Sequence, residues 1–278
     1  MPHKQVIAVT GSTGRLGRLF RLVWSGDQLG ELAPLWLTRQ SIKAPDEITC
    51  DLEGRVPTLP SGCIILHLAG TVAPGREMSD HVALAVAVSD LALRSKARHV
   101  FIASTAAVYG RGDAPHEEAE KPDPASAYGR MKLAAENVFA GQPRTTCLRI
   151  GNVAGADAIL GNKAPRLILD PVPDGTDGPS RSYIGPRTLA RVVARLAGMA
   201  ATGAALPPTL NVAQSPIVSM AALLRAADRP FDWGPENPTV IPRVELATDR
   251  LRALMPDLPQ ASAAGLVAER DSLPSWRP

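Results

Sequence analysis

The apolar run Val-Ile-Ala-Val at residues 6–9 breaks directly into Thr10-Gly-Ser-Thr-Gly-Arg-Leu-Gly17. A buried strand that ends in a glycine-rich turn and opens into a helix leaves backbone N–H groups at the positive end of that helix. That arrangement suits a diphosphate. The glycines carry separate mechanical tasks. Gly11 permits the tight turn, Gly14 lets the backbone approach a ligand, and Gly17 lets the helix lie close to the strand. The spacing is Gly-x-x-Gly-x-x-Gly rather than Gly-x-Gly-x-x-Gly. Ser12, Thr13, Arg15 and Leu16 fill the intervals, so residues 11–17 as a whole are the expected cradle for a cofactor.

Apolar runs alternate with helical patterns through the first 150 residues. Strands are expected at 6–9, 34–38, 47–52, 63–68, 99–104 and 145–150, and helices at 15–24, 78–96 and 126–140. The unbroken apolar character of 63–68 is that of a strand buried on both faces. The rhythm predicts an α/β fold, a Rossmann-type doubly wound parallel sheet. After Ile150 the texture changes. Residues 155–180 hold Gly, Pro and Asp with little periodicity and read as loops shaping a pocket. A helix returns at 187–201 and a strand at 209–213. The tail beyond Gln214 has an apolar helical stretch, a Pro-rich connection and a helix at 249–254. The expected organisation is a dinucleotide-binding domain over 1–154, rejoined by 181–213. A small C-terminal substrate-binding subdomain would be built from 155–180 and 214–278.

An apolar fraction of 45% over 278 residues supports a folded core rather than disorder. The net charge of +3 is spread without any block of five like charges, so a nucleic-acid or membrane-surface partner has no footprint. No apolar stretch reaches the roughly 18–20 residues needed to span a bilayer. The first strand begins within five residues, which leaves no room for a signal peptide. Cys50, Cys63 and Cys147 have no metal or redox spacing and are expected as small apolar residues in or near strands. The expectation is a cytoplasmic protein without disulfides or a metal site.

Tyr128-Gly-Arg-Met-Lys132 places a phenol and an ammonium four residues apart, on one face of the helix at 126–140. A nearby ammonium is expected to lower the phenol pKa from about 10, which makes the tyrosine a proton donor or acceptor near neutral pH. The competing reading is a solvated helix face. Pro122, Pro124 and Ser126 locate the helix start, with Ser126 as its N-cap. Ala103-Ser-Thr-Ala-Ala-Val-Tyr-Gly110 ends the fifth strand, at the sheet edge where open α/β folds bind ligands. A hydroxyl there would donate to a substrate oxygen while the tyrosine transfers the proton. The competing reading is a strand cap or turn former.

Taken in order, these motifs resemble the extended short-chain dehydrogenase/reductase family, the NAD(P)-dependent epimerase/dehydratase group. Thr10–Gly17 matches the family's glycine turn. Asp51-Leu52 resembles the pair near the adenine, and His67-Leu68-Ala69-Gly70 the segment lining the cofactor. Thr105, anchored by Val108-Tyr109-Gly110, aligns with the catalytic Ser/Thr, and Tyr128 and Lys132 with the catalytic pair. Residues 148–155, Leu-Arg-Ile-Gly-Asn-Val-Ala-Gly, resemble the lead into the substrate region and bring in Asn152. The resemblance covers about residues 5–215 well and the tail weakly. It implies that Tyr128 exchanges a proton with a small hydroxylated, carbonyl or sugar-like substrate while hydride moves to or from nicotinamide. Thr105 would orient the reacting oxygen, and Lys132 would hold the nicotinamide ribose. A homodimer built on two helices per subunit is also implied. The alternative is a non-catalytic dinucleotide-sensing or partner-binding protein on the same scaffold.

The second strand ends Leu37-Thr38-Arg39 without the carboxylate that would accept hydrogen bonds from the ribose of NAD. Arg39 could pair with a 2′-phosphate instead, and Arg15 could reach the same phosphate, which favours NADP(H) over NAD(H); the competing reading is that both are solvated surface arginines. The chain also departs from the family's pattern. Residues 181–190, Arg-Ser-Tyr-Ile-Gly-Pro-Arg-Thr-Leu-Ala, keep the arginine and Tyr-Ile of sugar-nucleotide members but not their histidine and two aspartates. Arg181 would meet a substrate phosphate or carboxylate, or cover a loop. Where the family has an asparagine at the start of the long helix, this chain has Asp80 or His81. The bland reading of His81 is a partly exposed structural histidine. Ala106-Ala107 supplies no acidic pair after Thr105, which argues against 4,6-dehydration.

Overall fold

The computed structural model describes residues 4–25, 29–39, 44–70, 78–112, 114–172 and 177–276. The first half runs β1 (Gln5–Thr10), α1 (Arg15–Val23), β2 (Leu32–Thr38), β3 (Glu47–Thr49), β4 (Ile64–His67), α2 (Met78–Arg94), β5 (His99–Thr105), α3 (Ala127–Val138) and β6 (Thr145–Ile150). It continues through β7 (Asn152–Val153), β8 (Leu167–Leu169), β9 (Ser180–Ile184), α4 (Pro186–Ala201), β10 (Thr209–Val212), β11 (Gln214–Ser219) and α5 (Met220–Ala226). The chain ends with β12 (Phe231–Trp233), β13 (Arg243–Val244), α6 (Asp249–Leu254) and α7 (Ala263–Asp271).

The main sheet has seven strands in the order β3-β2-β1-β4-β5-β6-β10, every pair parallel. Period-two alternation decides which helices cover which face. Ile7, Val9, Ile64, Leu66, Phe101 and Ala103 face α1 and α4 through Leu19, Phe20, Val192 and Leu196. Ala8, Ile65, Val100 and Ile102 face Ala85, Val88 and Leu91 of α2 and Ala135 of α3. With both faces covered, the strands need apolar residues at every position, which is why they read as unbroken runs. All three cysteines are unpaired and lie in the α2/α3 layer, as small apolar residues in or near strands.

The strand order reverses between β1 and β4. Their carboxyl ends therefore diverge into a crevice, the place where such sheets take a ligand. The glycine turn leaves β1 at that point, and residues 68–70 leave β4 beside it.

A second, smaller sheet forms around β9, which pairs with β11 antiparallel and with β7 and β13 parallel, while β8 and β12 make a separate parallel pair. The loops expected at 155–180 thus hold β8 and the first residue of β9; residues 173–176 lie outside the described residues. The tail also departs from the expectation that it serves the substrate side throughout. Leu273 and Trp276 pack into the α1/α4 core, and the Trp276 indole donates to the Arg15 carbonyl at 3.1 Å. Among the described residues no helix is long and apolar enough to cross a membrane.

Candidate active site

Two hollows of about 460 Å³ each open along the crevice and meet at Gly11, Gly14, Leu68 and Gly70. One is walled by Thr13, Thr38, Arg39, Asp51, Leu52 and Ala69. The other is walled by Arg15, Leu16, Thr105, Tyr128, Lys132 and Asn152. A cradle that joins two compartments fits a dinucleotide, with the diphosphate over the turn and one end in each hollow.

The turn itself passes the same test. Gly11 sits at φ +66°, and a Cβ there would stand 2.6 Å from the Ala69 nitrogen, so β1 and β4 exit in contact. A Cβ on Gly17 would overlap the Gly11 carbonyl and the Ser12 backbone, which brings α1 down onto its own turn. Gly14 is different. It is exposed, and an added Cβ would meet only the Gly11 carbonyl, at 3.2 Å. It caps α1 without a side-chain hydrogen bond, which leaves the helix start open to an anion.

Helix α3 carries Tyr128 and Lys132. The Ser126 hydroxyl accepts from the Gly129 N–H at 3.0 Å, the N-cap expected from the sequence. A Cβ on Gly129 would collide with the Ala107 carbonyl, so this glycine lets α3 lie against the end of β5. Tyr128 thereby hydrogen-bonds Thr105, whose Oγ1 also accepts from the Ala107 N–H at 3.2 Å. Lys132, one turn on, donates from Nζ to the Ala103 carbonyl at 2.9 Å.

These contacts correct one expectation. Burial pushes the Tyr128 phenol up; the Thr105 hydrogen bond and the Arg15 charge pull it partly back. Lys132 is not among the charges acting on it. Lys132 is itself pulled down to about 8 by burial, with the Glu136 carboxylate acting in the opposite direction.

Two histidines stand behind the lysine. His67 Nδ1 shares a 2.8 Å hydrogen bond with Thr10 Oγ1, which also accepts from the Ala69 N–H. Burial first, then the charges of Lys132 and His81, hold His67 down at about 3, so it is neutral. His81 is 3% exposed rather than partly exposed, and it lines the Tyr128 hollow. A Cβ on Gly70 would lie 3.1 Å from the His81 ring and 3.7 Å from Lys132 Nζ. The one-residue ambiguity at the start of α2 has a geometric outcome, since Asp80 faces the Arg39 hollow and His81 the Tyr128 hollow.

Three expected residues are placed elsewhere. The Ser12 hydroxyl is fully buried, donates to the Leu37 carbonyl at 2.8 Å and ties the turn to β2. Arg15 lies across the Tyr128 hollow, with Nη1 3.4 Å from the Ala156 carbonyl. It does not line the Arg39 hollow, so the two arginines do not converge on one phosphate. Arg181 donates to the Ser180 and Pro242 carbonyls and lines neither hollow. Ser104 and Asp157 line the Tyr128 hollow without having been singled out in the sequence. Ser104 was legible as the neighbour of Thr105, whereas Asp157 sits in the aperiodic segment.

The fold and crevice define a Rossmann-type dinucleotide-binding protein. Residues 62–170, the stretch that holds Thr105, Tyr128 and Lys132, match the sequence model of the NAD dependent epimerase/dehydratase family. That match bears out the resemblance drawn from the motifs. None of the curated proteins compared with the chain matches it. Solved structures share the whole architecture. A UDP-galactose 4-epimerase aligns with a TM-score of 0.74 at 20% identity, over 98% of this chain and 99% of that one. The UDP-N-acetylglucosamine 4-epimerase from Bacillus cereus aligns at 0.72 and 20%, over 97% and 99%. The UDP-glucose 4-epimerase of Thermus thermophilus, solved in complex with NAD, aligns at 0.71 and 18%, over 96% and 98%.

Proposed function

We propose that this chain is an NAD(P)-dependent oxidoreductase or epimerase that acts on a small hydroxylated, carbonyl or sugar-like substrate. The observation that carries the reading is the meeting of Tyr128, Thr105 and Lys132 with the glycine turn in one crevice. When bound, the nicotinamide takes up or returns a hydride. The Tyr128 hydroxyl moves the proton at the substrate oxygen, and the Thr105 hydroxyl orients that oxygen. Lys132 holds the nicotinamide ribose, and Asn152 contacts the substrate from β7. Arg181 serves the substrate side only if its bonds to the Ser180 and Pro242 carbonyls are exchanged.

The dinucleotide is NADP(H) in preference to NAD(H). Arg39 supports this, exposed at the end of β2 with no carboxylate from that strand beside it. The Thermus thermophilus relative carries NAD, so the preference rests on this chain's own strand end. The buried, unpaired thiols suit the reducing cytoplasm. The outward side of α2 carries exposed Val86 and Leu93, a surface suited to a homodimer.

The test is a titration of purified protein with NADP(H) and NAD(H), followed by assay with nucleotide sugars and small carbonyl compounds. Tyr128→Phe is expected to keep dinucleotide binding and lose turnover by about 10²–10⁴-fold. Unchanged turnover in that variant rejects the assignment.

A further inference from the structure

The motif Tyr128-x-x-x-Lys132 extends one turn further along α3, to Glu136. Three successive turns of the helix engage three consecutive residues at the end of β5. Tyr128 bonds Thr105, Lys132 bonds the Ala103 carbonyl, and the Glu136 carboxylate accepts from the Ser104 hydroxyl. Glu136 is 7% exposed and forms an ion pair with Arg149 of β6, Nη2 to Oε2 at 2.9 Å and Nε to both oxygens at 3.3 Å. The Arg149 guanidinium lies 4.7 Å from the centre of the Tyr109 ring, and the Tyr109 hydroxyl donates to Asn211 Oδ1 at 2.7 Å. The carboxylate is thus fixed from two strands, and its position does not depend on its own rotamer freedom.

We propose that Glu136, held by Arg149 and Ser104, is a positioning residue for Lys132: it keeps the buried ammonium charged and seated against β5. Four residues separate the two side chains on the helix, the spacing at which a carboxylate and an ammonium attract. Other groups bear on Lys132 from the elements around it. His67 at the end of β4 and His81 on α2 present imidazoles, and neither supplies a negative charge. Arg149 is cationic and spent on Glu136. Arg15, at the far side of the hollow, acts on Tyr128. Glu136 is the carboxylate that offsets the burial of Lys132. Its pairing with Arg149 gives the buried carboxylate a cationic partner and fixes its place.

The inference rests on the reading of Tyr128 and Lys132 as the acting pair, and its test does not require turnover. Protein labelled with ¹³C-lysine is titrated by NMR in the free state, and the Lys132 resonance is assigned by its loss in Lys132→Met. Wild-type Lys132 titrates near 8. In Glu136→Gln its midpoint falls by about one unit or more. A tenfold smaller charged fraction on the alkaline side of the transition follows. Because that variant strands Arg149, the double variant Glu136→Gln with Arg149→Met is measured beside it. A purely structural role predicts that the double variant recovers both its melting temperature and the wild-type Lys132 midpoint. The proposal predicts that it recovers the melting temperature while the Lys132 midpoint stays low. A wild-type midpoint in either folded variant overturns it. Failure of Tyr128→Phe to affect turnover would reject the catalytic reading and leave this titration result standing.

Discussion

The Lys132 ammonium donates to the Ala103 carbonyl at 2.9 Å, on the strand side of α3, although Tyr128 lies only one turn away. The phenol is governed instead by its burial, by Thr105 and by Arg15. In the free protein, therefore, Tyr128 titrates above an ordinary tyrosine. Thr105→Val is expected to raise its midpoint further, because it removes a hydrogen bond that lowers it. Lys132→Met should move it far less. Only Tyr109, Tyr128 and Tyr183 absorb as tyrosinates, so ultraviolet difference spectra against Tyr128→Phe isolate the transition.

Lys132 also links pH to stability. Its pKa falls from 10.5 to about 8 on folding, so between those values the unfolded chain binds more protons than the folded one. Stability then rises with pH across the window from 8 to 10.5, and below 8 the cost of the buried ammonium is present in full. The shift corresponds to at most about 3 kcal/mol. Urea denaturation of wild type and Lys132→Met at a series of pH values should show this gain in wild type alone.

His67 produces an acid limb by the same logic. It is neutral in the fold, with its pKa depressed from 6.5 to about 3, and it must take up a proton when the chain unfolds in acid. Stability is expected to fall as pH drops from 6.5 toward 3. His67→Gln keeps a polar partner for Thr10 and cannot protonate. It should lose about 3 kcal/mol less than wild type between pH 7 and 4, as measured by denaturant unfolding.

Folding and ligand binding can be separated within the glycine turn. Gly17→Ala forces a Cβ into the backbone of Gly11 and Ser12, which cannot withdraw. A loss of about 3 kcal/mol in stability is expected, with binding lost as a consequence. Gly14→Ala adds a methyl on an exposed face, at φ −72° and with one contact at 3.2 Å. It should melt within a few degrees of wild type and still bind the dinucleotide about tenfold more weakly, by calorimetry, because the methyl would stand in the proposed diphosphate cradle.

How much of this was legible depended on the range of each signal. β1, β4, β5 and β6 are buried on two faces and announce themselves as apolar runs, so the sheet and its crevice could be read directly. The glycine turn, Thr105, Tyr128 and Lys132 are local motifs, and the sheet edge brings them together. β7 and β13 are two residues long and β8 and β12 three, too short to carry a period, and their partners are distant in sequence. Glu136 stood in view at the next four-residue interval, but its meaning depends on Arg149 of a neighbouring strand. The direction in which Arg15 points was not legible, because a helix-start residue can lean to either side of the turn.

Arg15 and Arg39 now separate into two experiments. They border different hollows, Arg39 with Thr38 and Asp51, Arg15 with Tyr128 and Asn152. If Arg39 recognises a 2′-phosphate, Arg39→Ala should weaken NADP(H) by about tenfold and leave NAD(H) nearly unchanged, by fluorescence titration. Arg15→Ala should leave the ratio of the two affinities unchanged. Its effect should appear instead as a higher Tyr128 midpoint, because it removes a positive charge that lowers it. A change of cofactor ratio in Arg15→Ala would show that its side chain swings over the turn when the dinucleotide binds. An unchanged NADP(H) affinity in Arg39→Ala would remove the case for that cofactor.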